Sequence, residues 1–133
     1  MKQVLLYIWQ LPQNLLGLLL LGIYKLFDKE CTKYSKKEDI VYYATKLMPS
    51  GISLGKYVIM KYKWGEHYKC YRHEFGHTKQ SKMLGWFYLP IIGILSLCGN
   101  ILDRIFDLGE TFYYNQPWEK WADKLGGVIR FAI

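Results

Sequence analysis

At 133 residues the chain is long enough for one core and too short for two, because each half would bury too little surface to offset the entropy of ordering it. Half of it is hydrophobic (51%) and 17% is aromatic, which excludes disorder, while 22% is charged, which argues against a wholly membrane-buried protein. The net charge of +7 is concentrated between Lys25 and Lys82, where thirteen Lys and Arg face six Asp and Glu. No nucleic-acid module accompanies these lysines, so they favour anionic lipid headgroups as partners and not nucleic acid.

The first element is apolar from Val4 to Phe27 apart from Gln10, Gln13, Asn14 and Lys25. It is long enough to cross a bilayer, which takes ~20 residues, and it shows no small-residue cleavage site, so it is expected to stay attached. A buried amphipathic helix interrupted at Pro12 is the alternative reading. The stretch from Asp28 to Asp39, rich in Lys and without a hydrophobic period, reads as a solvated connector. Ile40 to Leu47 and Lys56 to Tyr62 are rich in Val, Ile and Tyr and are separated by turn residues, which predicts a short β-hairpin or meander. The strand around Tyr57 to Lys61 could offer an edge to an extended substrate.

Gly65 marks a break, and Glu66 to Met83, free of Pro, predicts about five helical turns ending at Gly85. A second apolar stretch runs from Leu84 to Leu102, with Trp86, Phe87 and Tyr88 clustered at its start like an interfacial anchor. Asp103 to Tyr114 predicts an amphipathic helix. Pro117 suits the first turn of a last helix from Trp118 to Leu125, which Gly126 and Gly127 end. Cys31, Cys70 and Cys98 are odd in number and irregularly spaced, so no disulfide framework is indicated and a reducing, cytoplasmic face is the simplest setting.

The chemistry lies in His73-Glu74-Phe75-Gly76-His77, which matches H-E-x-x-H inside the expected helix. Residues i and i+4 share a helical face, so both imidazoles can reach one zinc ion. Zinc lowers the pKa of a bound water to roughly 7, and Glu74 is placed to take its proton, a pairing suited to peptide hydrolysis. A third ligand must come from elsewhere. Gln80 and Met83 stand where metzincins carry Gly and His, which excludes that class. Glu119 in the last helix can complete a His₂Glu set, and Asp123, one turn on, can accept a hydrogen bond from the outer nitrogen of a ligating imidazole. Cys70, three residues before His73, could instead join a structural zinc site, although core packing is the plainer reading for it. Tyr113, Tyr114 and His67 are available to stabilise an oxyanion, and their spacing selects none of them.

His-Glu-x-x-His followed by Glu-x-x-Ala-Asp resembles the gluzincin pattern of the CAAX-processing and heat-shock membrane zinc endopeptidases. The resemblance implies a zinc-dependent peptidase with His73, His77 and Glu119 as ligands, Glu74 as base and Asp123 supporting the site. The implied partners are peptide or protein substrates and membrane lipids. The expected architecture is a single α+β domain, mainly helical and zincin-like, with a short β element. Residues 1–27 form its membrane-associated segment and 28–133 its metallopeptidase core, with the centre on the cytoplasmic face. A catalytically inactive zinc-binding protein that uses the same fold as a membrane scaffold is the alternative. Because His73 and Glu119 must meet, Leu84 to Leu102 is not expected to act as a single span; it would turn back at Pro90, Gly93 and Gly99, lie in the interface, or pack in the core.

Overall fold

The computed structural model of the chain describes residues 2–37, 39–47, 51–61 and 68–128. The protein is α+β: helices α1 (Lys2–Trp9) and α2 (Leu11–Phe27), strands β1 (Thr32–Lys37), β2 (Ile40–Thr45), β3 (Gly51–Leu54) and β4 (Tyr57–Lys61), then helices α3 (Tyr68–Leu84), α4 (Ile94–Phe106), α5 (Gly109–Tyr114) and α6 (Pro117–Gly126).

The strands form one mixed sheet in the order β1-β2-β4-β3. β2 and β4 are its centre, and their period-2 alternation fills both faces. Ile40, Tyr42, Val58 and Met60 pack on Phe75 of α3, while Ile59 packs with Leu21 of α2 and Cys31. This explains why both strands read as continuous apolar runs. They pair in parallel, Val41 opposite Tyr57, and not as the expected hairpin. The chain leaves β2, lays down β3 at the outer edge, and returns through Gly55 and Lys56 to place β4 between them. Gly55 has φ +65, as the first position of such a two-residue loop requires.

The stretch taken for a connector, Asp28 to Asp39, contains β1 instead, antiparallel to β2. An edge strand needs only one paired side and one packed face, so its sequence lacks the apolar run of a central strand. Its exposed Lys33 and Lys36, and the register shift between Lys33 and Ser35, blunt it against pairing with another chain.

Two helical expectations also change. The first apolar stretch is not one rod, since α1 and α2 meet at Gln10 with a bend of 84°, and Pro12 sits in the first turn of α2. The polar residues that interrupt it are the ones turned inward. Gln13 Nε2 donates to Ser81 Oγ at 2.9 Å and to the Gly85 carbonyl at 2.8 Å, Ser81 Oγ donates to Gln10 Oε1 at 2.5 Å, and Asn14 Oδ1 accepts from the Lys56 backbone at 2.6 Å. Leu15, Leu18, Leu19, Ile23, Leu26 and Phe27 are left facing outward. In the second apolar stretch Pro90, Gly93 and Gly99 produce no turn-back. A 3₁₀ turn at Gly85–Phe87 leads into a π turn at Leu89–Gly93, where Pro90 lacks a backbone donor, and this runs on into α4. Leu89–Phe106 is thus one apolar rod of 18 residues, and only 11% of it is buried, so it is not a core helix either. Asp107, left-handed at φ 50, caps α4 and splits the expected Asp103–Tyr114 helix, leaving α5 as a separate turn.

Candidate metal centre and cleft

α6 lies against α3 at a distance set by small residues. A Cβ on Gly76 would fall 1.8 Å from the Ala122 carbonyl oxygen, and one on Gly126 would fall 1.9 Å from that of Arg72. Glu119, Ala122, Asp123 and Gly126 are the buried face of α6, spaced at i, i+3, i+4 and i+7. α3 also holds the end of α6 by its free carbonyls: Arg72 Nε donates to the Gly126 carbonyl at 2.6 Å and Lys79 Nζ to that of Leu125 at 3.1 Å, cations placed at the negative end of a helix.

This contact brings His73, His77 and Glu119 together, all three buried. His73 Nε2 and His77 Nε2 are 3.1 Å apart, and each lies 3.0 Å from Glu119 Oε2. The outer nitrogens are both engaged. His73 Nδ1 is 2.6 Å from Asp123 Oδ1, and since a carboxylate only accepts, the proton is on Nδ1. His77 Nδ1 is 2.7 Å from Gln80 Oε1. The Gln80 amide is oriented by its own Nε2, which donates to the Trp118 carbonyl at 2.9 Å, so Oε1 must accept and His77 Nδ1 must donate.

Both Nε2 atoms therefore present lone pairs, and they present them to each other and to a carboxylate oxygen. Three acceptors at 3.0–3.1 Å with no donor between them require a cation. Without a metal that cation is a proton: burial pushes His73 down, but its bonds to Asp123 and Glu119 prevail and raise it to about 9. Burial likewise pushes Glu119 up, and the two imidazoles outweigh it and hold its carboxyl well below the usual glutamate range. A tetrahedral zinc shell with bonds of about 2.05 Å has donor–donor edges of roughly 3.3 Å, so this triangle fits such an ion with small adjustment. Ser96 of α4 fixes the remaining oxygen, donating to Glu119 Oε1 at 2.5 Å.

Glu74 occupies the neighbouring position on α3 and points toward the sheet. Ser53 Oγ donates to its Oε2 at 2.6 Å, and the missing side chain of Gly51 leaves room at Oε1, where a Cβ would stand 3.0 Å away. Glu74 and His77 line a cleft of about 390 Å³ between β3 and the helix that includes α4. The edge along this cleft is β3, not the Tyr57–Lys61 strand expected from sequence, because β4 is paired on both sides. Leu54 and Tyr57 close the two-residue hairpin loop as a hydrogen-bonded pair, which turns the backbone groups of Gly51 and Ser53 away from β4. Tyr88 Oη donates to the Ser53 carbonyl at 2.9 Å.

Of the aromatic residues near the centre, Tyr113 lines the cleft, whereas Tyr114 packs edge-on against His73 at 5.1 Å. Burial and the nearby Glu119 push the Tyr113 hydroxyl well above its usual range, so it remains a proton donor. His67 and the side chain of Cys70 lie outside the described residues. Gln80, Ser53 and Ser96 are site residues that the sequence reading missed. Only Gln80 left a signal, one helical turn beyond His77.

Comparison with protein-family models, with characterised proteins and with solved structures returns no match for this chain or its fold.

Proposed function

We propose that the protein is a membrane-associated zinc peptidase, with His73, His77 and Glu119 as metal ligands and Glu74 as general base. The observation that carries this reading is the convergence of three lone-pair donors beside a carboxylate that borders an open cleft. A bound zinc would supply Lewis-acid polarisation of a carbonyl and acidification of water at this position. The chain's own residues supply the rest. Asp123 and Gln80 keep both imidazoles in the tautomer that ligates, and Ser96 holds Glu119. Ser53 leaves Glu74 one free oxygen for taking a proton and passing it to the leaving amine. The edge of β3 can pair with an extended peptide, and Tyr113 can donate to a developing oxyanion. The sequence resemblance to CAAX-processing and heat-shock membrane zinc endopeptidases points the same way.

The membrane part of the reading rests on an inverted distribution of polarity. α1 and α2 turn Gln10, Gln13 and Asn14 inward and leucines outward, and the Leu89–Phe106 rod exposes Ile94, Leu97, Ile101, Ile105 and Phe106. In water such a surface would drive association, whereas in lipid it is the matched one. The exposed lysines of β1 follow α2 directly, which suits an anionic, cytoplasmic leaflet.

The test pairs metal analysis with Glu74→Gln on the full chain in detergent, using a panel of unstructured peptides. Both proteins are expected to hold one zinc, and the substitution to lower hydrolysis at least about a hundredfold. Zinc in both with no hydrolysis by either would replace the peptidase with a zinc-binding scaffold, and absence of zinc would overturn the centre itself.

A further inference from the structure

The apolar rod Leu89–Phe106 turns only a narrow stripe inward. Ile92 and Gly99 are buried and Ser96 falls between them at helical spacing, whereas Ile94, Leu97, Ile105 and Phe106 are exposed. A Cβ on Gly99 would stand 3.9 Å from the Tyr113 ring, in ordinary contact, so the rod lies close against α5 beside the metal centre. A serine in an apolar helix has a ready partner in the carbonyl one turn back on its own helix. Ser96 Oγ instead donates to Glu119 Oε1 at 2.5 Å, across to α6 and 23 residues along the chain. Such a length belongs to a hydroxyl bonded to an ionised carboxylate, which is a strong class of hydrogen bond. The partner, and not the helix, accounts for the hydroxyl.

Glu119 divides its two oxygens between two tasks. Oε2 lies 3.0 Å from His73 Nε2 and 3.0 Å from His77 Nε2, so it is the oxygen that faces the ion site, while Oε1 is turned to Ser96. The division matters because a carboxylate binds a metal through one oxygen or through both. Glu119 is fully buried, so an Oε1 without a donor would be an unsatisfied anionic atom beside a cation. It would turn to the ion and compete for the position that a zinc of the catalytic kind keeps open. We propose that Ser96 is a positioning residue that holds Glu119 to one-oxygen ligation and thereby keeps a coordination position open toward the cleft, which Ser96 also lines. This rests on the metal centre of the reading above and not on peptide turnover. Tyr113, whose hydroxyl also lies near Glu119, is the neighbour to test beside it.

The experiment loads the full chain in detergent with Co²⁺, which stands in for zinc and reports its ligand shell through visible absorption. Azide is the probe of the open position, and its binding to the wild type is expected to shift the Co²⁺ band. Ser96→Ala is expected to keep its Co²⁺, to alter the band before azide is added, and to bind azide at least about tenfold less tightly. Ser96→Thr keeps the hydroxyl and is expected to restore both. Ser96→Ala with the wild-type band and azide affinity overturns the proposal, as does a folded Ser96→Ala that merely loses the ion. A change seen with Tyr113→Phe alone assigns the task to Tyr113 and overturns it too. A measurement on the wild type needs no variant to fold: zinc-edge X-ray absorption is expected to find the carboxylate oxygen within about 2.2 Å and no second, longer one. A longer carboxylate oxygen in that shell overturns the proposal. A wild type that binds neither Co²⁺ nor zinc sinks the metal centre and the peptidase with it. One that shows the Ser96 dependence and cleaves no peptide removes the peptidase and keeps the positioning role.

Discussion

Gly76 illustrates how a single residue sets this site. It sits between Glu74 and His77, and the Ala122 backbone occupies the space that any larger residue would need. Gly76→Ala must push α6 away from α3. It is expected to destabilise the fold by about 2 kcal/mol or more and to lose zinc, as read by denaturant unfolding and metal content. Asp28 offers a test away from the centre. Its carboxylate accepts from the Lys46 backbone at 3.0 Å, from Thr45 Oγ1 at 2.7 Å and from the Glu30 backbone at 3.0 Å, and these bonds hold it below the usual aspartate range. A depressed folded-state pKa means that the stabilisation is full above the unfolded value of about 3.9 and is lost as pH falls through the lower folded value. The Tm gap between wild type and Asp28→Asn is therefore expected at pH 7 and should close toward pH 2; a gap independent of pH would contradict the assignment. That His73 and His77 share one helical face, and Glu119 and Asp123 another, was legible in the sequence because helical periodicity turns spacing into proximity. Ser53 and Ser96 were not, since each acts across more than twenty residues of chain and nothing local marks a serine whose partner is remote.

At the scale of elements, the sheet shows what an apolar pattern does and does not specify. β2 and β4 were visible because strands buried on both faces must be apolar throughout. Their parallel pairing was not, because direction is decided by β3, a four-residue strand that reads as a string of turn formers. β1 was hidden by its lysines, which an edge position tolerates and a centre would not. Helix α2 makes the sharper test, since its two faces predict opposite outcomes. Leu15→Asp and Leu19→Asp alter side chains that are 54% and 60% exposed. They are expected to abolish sedimentation with anionic vesicles while leaving zinc content intact. Gln13→Leu, by contrast, removes both of that residue's donated bonds and is expected to cost about 1–3 kcal/mol in folding.

For the whole molecule, the meeting of His73 with Glu119 constrains topology even though Leu89–Phe106 is long enough to cross a membrane. Ser96 lies near the middle of that rod and touches Glu119, so α5 and α6 must double back beside it. A reporter after Ile133 and another near Ser35 are accordingly expected on the same side of the membrane, and accessibility labelling that found them on opposite sides would rule out this arrangement. The sequence supported convergence but not the route, because an apolar run with Pro and Gly does not state whether it folds back or continues as one rod.

The order of His73, His77 and Glu119 along the chain also bears on biosynthesis. Forty-one residues lie between His77 and Glu119, and they include the whole second apolar stretch. During translation the histidine pair emerges first, and it lacks its carboxylate until that stretch and α6 have been synthesised. On the proposed reading the centre would stay incomplete until α6 has been made, and an ion bound there would also clamp shut the loop between the histidine pair and Glu119.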